Sequence, residues 1–310
     1  MNVATKSHAK LMQPNWNSTY MSAIAGAAEY YGLKYSAPTF FVESGYFAVL
    51  NIQRDLKPCG PYCWNHSPIA KNIEAMGLRV KWLHSNFDCK SSDYREHMLE
   101  QICAVDSDTL VGMAGLEFQL LCQRDARKFT FTLPWGPDVP TCIRELSIDD
   151  IRAGNHFPGT AWFTVQQTSV SPRTKRLHGS LACAVELYQQ NEQFEDSEYS
   201  FGPNAWEQWA TKLESGSYDN RGHWWSSMVW SEARRQAAVY FRTEWEGPAS
   251  VGADLSTNLS KISSLIAKSA NQEVADTDRA QLIRQAQGID ALIHQNLESC
   301  TSPFNVKELN

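Results

Sequence analysis

The chain has none of the signatures that would name a cofactor. No Gly-x-Gly-x-x-Gly follows a strand-like run, no phosphate-cradling Gly-Lys-Ser/Thr appears, and no Gly-x-Ser-x-Gly elbow is present. Nucleotide use and elbow-type serine catalysis therefore have no support. No apolar run approaches the ~20 residues needed to cross a bilayer, and the N-terminus lacks the charged-then-apolar order of a signal peptide. The expectation is a soluble, cytoplasmic protein without a membrane partner. A long basic run is also missing, and the net charge of −6 with a pI near 5.8 argues against nucleic acid, whose phosphates need a basic surface.

Metal-ligand spacing is absent too. The histidines, at 8, 66, 84, 97, 156, 178, 223 and 294, form no pair that a helix or strand would bring to one ion. The eight cysteines, at 59, 63, 89, 103, 122, 142, 183 and 300, are irregularly spaced in apolar contexts. In a chain this long that pattern suits free, mostly buried thiols better than a disulfide framework. Cys59-Gly60-Pro61-Tyr62-Cys63 stands beside Trp64 and His66, but a redox pair is normally Cys-x-x-Cys and a zinc knuckle needs a second pair. Gly60-Pro61 also reads as a plain turn. Neither metal nor cofactor is expected.

What the chain does have is length and apolar content. Its 310 residues, 43% of them hydrophobic, suffice for a large core in one or two domains. Residues 1–12 carry no pattern and are expected to be disordered up to Gln13-Pro14. Trp16–Gly32 reads as a buried helix: Asn17 or Ser18 can cap it, Tyr20, Ile24, Ala27/Ala28 and Tyr31 share a face, and Gly32 ends it. The unpaired N–H groups of its first turn form a positive pole, and Thr19 stands there. The plainer reading of Asn17, Ser18 and Thr19, and the commoner one for such residues, is that they do nothing beyond capping.

Ser36 with Pro38 opens a short helix, and Glu43-Ser44-Gly45 turns the chain into an expected strand over 46–52. Ser67-Pro68 opens a helix closed by Gly77. A half-exposed strand follows from Leu78 to Trp82, and then a helix capped by Asp93. From 109 the period changes to two. Strands are expected over 109–113, 118–123, 128–133 and 160–166, with Arg124–Arg127 as a hairpin turn and a short capped helix at Ser147. The Ser/Thr/Pro-rich stretch from Thr168 to Arg176 marks a boundary. Beyond it, 178–190, 204–213, 224–244, 255–268 and 274–297 read as helices. Six of the eleven tryptophans fall in this half, where they line its core or a cleft. His223, at a helix start, either faces a cleft or is a partly buried imidazole.

In this order the parts resemble the papain-like family of the butirosin biosynthesis protein H N-terminal domain, related to bacteriocin leader peptidases. The similar stretches are Trp16–Gly32, Glu43–Phe47, Asp55–Pro61, Glu117–Asp125, Leu181–Leu187 and Phe201–Trp209. The resemblance implies an α+β papain-like domain over 13–170, with an antiparallel sheet against the N-terminal helix, and a helical domain over 171–310. It also implies a departure. Counting back from Tyr30 to the family's cysteine lands on Thr19, counting back from Asp125 to its histidine lands on Glu117, and the third catalytic position falls at the apolar Leu133-Pro134.

Losing both thiol and imidazole removes ordinary cysteine catalysis. Thr19 and Glu117 suit acid–base work better, Glu117 moving protons in an apolar cleft while Thr19 and the helix N–H groups orient an oxyanion. Tyr20, Glu43, Tyr46, Trp135 and His223 are the expected substrate-binding neighbours. The implied function is a biosynthetic enzyme of secondary metabolism, a transferase, cyclase or hydrolase acting on a small amine- or acyl-bearing substrate. The competing readings are a ligand-binding protein with a dead site and an interaction protein that forms a homodimer through an exposed apolar patch over 250–297.

Overall fold

The computed structural model describes residues 6–8, 10–84, 91–155 and 161–301. Residues 1–5, Cys89, His156 and Thr160, all part of the expectations above, lie outside the described residues. In chain order the elements are β1 (Lys6–Ser7), α1 (Thr19–Tyr30), α2 (Ala37–Glu43), β2 (Asn51–Gln53), α3 (Ser67–Ala75), β3 (Leu78–His84), α4 (Ser92–Ala104), β4 (Leu110–Ala114), β5 (Phe118–Arg124) and β6 (Lys128–Phe131). They continue with β7 (Glu145–Ser147), α5 (Ile148–Ala153), β8 (Ala161–Gln167), α6 (Arg173–Gln189), β9 (Tyr199–Phe201), α7 (Gly202–Ser215), α8 (Asn220–Thr243), α9 (Ala249–Ser269) and α10 (Asp276–Thr301).

The chain mixes helix and strand, its sheets are antiparallel and its C-terminal region is helical. It divides into two compact units, Met1–Tyr35 with Ile73–Val170, and Ser36–Asn72 with Ser171–Asn310. This differs from a division into 13–170 and 171–310 by the segment 36–72, which packs with the later helices. The reason is visible in α2: its apolar Phe40, Phe41 and Val42 are fully buried, and α2 packs against α8 and α6.

The first unit is built on a sheet of order β3-β8-β4-β5-β6-β7, with β1 added to β5. Each pairing is antiparallel, and β4 to β7 follow one another as hairpins. The turn after β5 is held by Asp125, whose carboxylate accepts from the backbone N–H of Arg127 at 2.8 Å and of Lys128 at 2.9 Å. Both faces of the central strands are covered, so β4 is buried at every position rather than at every second one. On one face α1 packs against β5, Tyr20 meeting Phe118 edge-on with ring centroids 5.1 Å apart. On the other, Met98, Leu99 and Ile102 of α4 and Ile151 of α5 share a core with Val111, Met113, Leu121, Phe129, Phe131 and Trp162. Arg124 at the end of β5 donates to the carbonyls of Ile102 and Val105, closing the negative C-terminus of α4 with a buried cation.

Three local expectations are corrected. Lys6–Ser7 is a strand on β5 rather than disordered chain, because its two residues satisfy β5 backbone groups at 123 and 124. The strand expected over 46–52 is a 3₁₀ turn at Tyr46–Ala48, after Gly45 at φ 82°, and only Asn51–Gln53 pairs. The aromatic residues of this stretch are buried among helices, Tyr46 stacking on Trp230 at 5.7 Å. The cap of α4 is Ser91, whose Oγ accepts from Tyr94 N at 3.2 Å, while Asp93 sits in the first turn.

In the second unit α8 packs against α9, and α10 against both α9 and α7. Trp206, Trp209 and Trp230 are wholly buried, Trp225 and Trp245 half-buried, and Trp224 exposed. The apolar faces of α9 and α10 are used internally: Leu255, Leu259, Ile262, Ile266, Ile283, Ile293 and Leu297 are buried. Among the described residues of 250–297, Leu292 is the one large apolar side chain left exposed, so the patch expected there is not formed. No helix among the described residues is long and apolar enough to cross a membrane.

Gly112 of β4 faces Phe163 of β8 across the sheet, and a Cβ built on it would lie 2.1 Å from the ring. Gly112→Ala should therefore cost about 1–3 kcal/mol, since the buried ring has nowhere to go. Urea unfolding checks this: in the Gly112→Ala, Phe163→Leu double variant the two costs should be distinctly less than additive.

Candidate functional site

Ser18 caps α1, its Oγ accepting from Met21 N at 3.4 Å, which makes Thr19 the first helical residue. Residues 12–14 run along the helix: Ser22 Oγ donates to Pro14 O, and a Cβ on Gly26 would lie 2.3 Å from Met12 O. This close approach brings Gln13 over the start of α1. Its Nε2 donates to Thr19 O at 3.2 Å and to Phe118 O at 2.8 Å, and its Oε1 accepts from Thr132 Oγ1 at 2.6 Å.

Thr19 and Glu117 are brought together directly. Thr19 Oγ1 donates to Glu117 Oε2 at 3.0 Å and accepts from Phe118 N at 3.1 Å. Thr19 is 0% exposed and Glu117 6%. The hydroxyl has its proton directed at the carboxylate and its oxygen polarised by a backbone N–H, the arrangement in which a carboxylate base addresses a hydroxyl.

Around this pair, Tyr20 is buried against Phe118, and Trp135 Nε1 donates to Trp16 O at 3.1 Å. Gln119 fastens the segment after β6: its Nε2 donates to Thr132 O at 2.7 Å and Ile143 O at 2.9 Å, while its Oε1 accepts from Ile143 N at 2.8 Å. That latch holds the neighbouring Cys142 within the electrostatic reach of Glu117. Burial first, and then the Glu117 charge, push the Cys142 thiol up to about 11, so it stays protonated at neutral pH. Gln13, Gln119, Thr132 and Cys142 had no signal as site residues. Only the break in pattern at Gln13-Pro14 hinted at the first.

The other sequence candidates belong to the second unit, where each has partners of its own. Glu43 is fully buried between two guanidinium groups, Arg173 Nε at 3.3 Å and Arg176 Nε at 2.6 Å. Tyr46 is buried between Trp230 and Phe41. His223 Nδ1 accepts from Trp209 Nε1 at 2.9 Å, which leaves Nε2 to carry the proton and donate to Ser269 O at 2.8 Å. Its imidazole is thus a neutral bridge between helices, and burial holds its pKa down at about 4. Among the described residues no three His, Cys, Asp or Glu side chains converge as a metal ion would need.

Comparison with known protein families and with curated proteins finds no match to the chain.

The His223 bridge has a pH consequence. Its folded pKa of about 4 lies below the unfolded value of 6.5, so the unfolded chain binds the extra proton between the two. The stabilisation is complete above the unfolded value and declines by up to about 1.4 kcal/mol per pH unit as pH falls towards the folded one. His223→Gln keeps an acceptor and a donor without the titration. Denaturant unfolding across this window should show a shallower acid dependence for the variant, with a residual slope from His66, which burial holds at about 3, and from His294, also lowered by burial.

Proposed function

We propose that the first unit is a papain-like domain in which Thr19 and Glu117 stand where the family has its cysteine and histidine. In this reading the protein is a small-molecule biosynthetic enzyme, working by acid–base chemistry on an amine- or acyl-bearing substrate. The observation that carries it is the 3.0 Å hydrogen bond from Thr19 Oγ1 to Glu117 Oε2, made between a helix N-terminus and the residue just before a central antiparallel strand. Two residues far apart in sequence meet at the positions the resemblance assigns to nucleophile and base.

The division of labour follows from the bonds. A threonine hydroxyl is a weak nucleophile, and Thr19 donates its single proton to Glu117, so its part is to fix the carboxylate. Glu117 is the group that takes a proton from the substrate and returns it. The N–H groups of the first turn of α1 add a partial positive charge suited to an oxyanion.

A second reading, a ligand-binding protein with a dead site, has its own support in the saturation of Thr19: its hydroxyl both donates and accepts, and no part of it is exposed. Turnover separates the two. Incubated with small amines and acyl compounds, an enzyme should consume one of them, and Glu117→Gln should lower the rate by about 10²–10⁴-fold. Thr19→Ser, which keeps the hydroxyl, should cost less than about tenfold, on the order of one lost unit of positioning energy. Saturable binding without turnover, unaffected by Glu117→Gln, would leave the scaffold reading standing.

A further inference from the structure

The pentapeptide Cys59-Gly60-Pro61-Tyr62-Cys63 does not take part in the site above, yet its two sulfurs are built into one another's reach. Residues 59–63 form a single turn, closed by Cys63 N donating to Cys59 O at 3.0 Å. The two cysteines therefore share one side of the turn, separated by about 6 Å of rise, within the Cα range of about 4.4–6.8 Å that a disulfide spans. The two thiols are close enough that each is the largest influence on the other's titration. Tyr199, the first residue of β9, places its hydroxyl 3.2 Å from Cys59 Sγ.

The turn is pinned to β2. Asn51 Nδ2 donates to Gly60 O and to Cys63 O, the latter at 3.2 Å, and a Cβ on Gly60 would sit 3.0 Å from Gln53 N. Gly60 is thus needed for the backbone to lie this close to the strand. Both sulfurs belong to residues that are only partly buried, unlike Cys183. The surroundings sort the two thiols. The hydrogen bond from Cys63, then that from Tyr199 and the charge of Lys57, bring Cys59 down to about 6 against the opposing effect of burial. The bond to Cys59 and burial push Cys63 up.

We propose that Cys59 and Cys63 form a reversible dithiol–disulfide couple that exchanges with small disulfides of the glutathione class, Cys59 attacking and Cys63 resolving. The Cys59 thiolate attacks one sulfur of oxidised glutathione, forming a mixed disulfide and expelling one glutathione thiolate. Cys63 then loses its proton to solvent and attacks the Cys59 sulfur, expelling the second glutathione. Two protein thiols are oxidised and one glutathione disulfide is reduced to two thiols. The sequence of events is self-consistent, because the hydrogen bond to Cys59, the largest effect holding Cys63 protonated, and the smaller effect of the Cys59 charge are both lost once Cys59 is in the mixed disulfide, leaving burial as the remaining opposition.

The experiment uses the full chain in buffers of varied reduced-to-oxidised glutathione ratio, quenched with acid, alkylated and mapped by peptide mass spectrometry. The expected wild-type product is an internal Cys59–Cys63 disulfide, restored to two thiols by reduced glutathione. Cys63→Ser should instead accumulate one glutathione on Cys59, and Cys59→Ser should give neither product. Tyr199→Phe should move the midpoint of Cys59 alkylation up from about 6 towards the free-thiol value of about 8.5. The proposal is overturned if the wild-type protein forms no 59–63 disulfide at any ratio, or if glutathione stays on Cys59 with Cys63 intact. It is equally overturned if Cys59→Ser reacts as fast as wild type.

Discussion

One bond sequence fixes the first unit: the N–H of Phe118, at the start of β5, donates to Thr19, which donates to Glu117. It ties the first residue of a helix to the first residues of a central strand, in a place with almost no access to water. A polar network in that setting is stable only when every member is satisfied. The neighbouring residues accomplish this. Gln13 takes up Thr19 O and Phe118 O, Thr132 serves both Gln13 and the N–H of Leu120, and Gln119 pairs with the segment that carries Cys142. The register of β5, the entry of α1 and the path of residues 12–16 are therefore set together, and a slip of one residue in any of them would strand several buried groups.

The same requirement governs the second unit, with a different outcome. Glu43 is buried as a charge and held by Arg173 and Arg176, so the start of α6 cannot leave the end of α2 without exposing an unpaired carboxylate to an apolar interior. His223 spans from Trp209 to Ser269 O as a neutral ring. These are the residue types that catalysis uses, yet here their hydrogen-bonding capacity is consumed in joining helices.

This is why the sequence was informative about some things and mute about others. Helix starts were legible because their signal is local: Ser18, Ser36 and Ser147 each accept from the N–H three residues on. The hairpin at Asp125 was legible for the same reason. Strand alternation was readable in edge strand β3, whose two faces differ, and blurred in β4, which is covered on both. Glu43, Tyr46 and His223 were singled out by type and placement near turns, but nothing local reports what a side chain will touch from another part of the chain. Gln119 was invisible because a glutamine inside a strand reads as an exposed position until the loop it binds is known.

The two units are interleaved along the chain, and this has a consequence for synthesis on the ribosome. By the time residue 170 has emerged, the first unit has all of its strands and its covering helices, and can close. Residues 36–72 cannot: the surfaces that bury Phe40, Phe41, Val42, Tyr46 and Phe47 are carried by α6 and α8, still to be made. For the interval in which some seventy further residues are translated, at about 5–20 residues per second, a strongly apolar excursion hangs from a finished unit. The nascent protein therefore passes through a stage lasting on the order of seconds in which a segment destined for its own C-terminal half has been made but the helices that bury it have not.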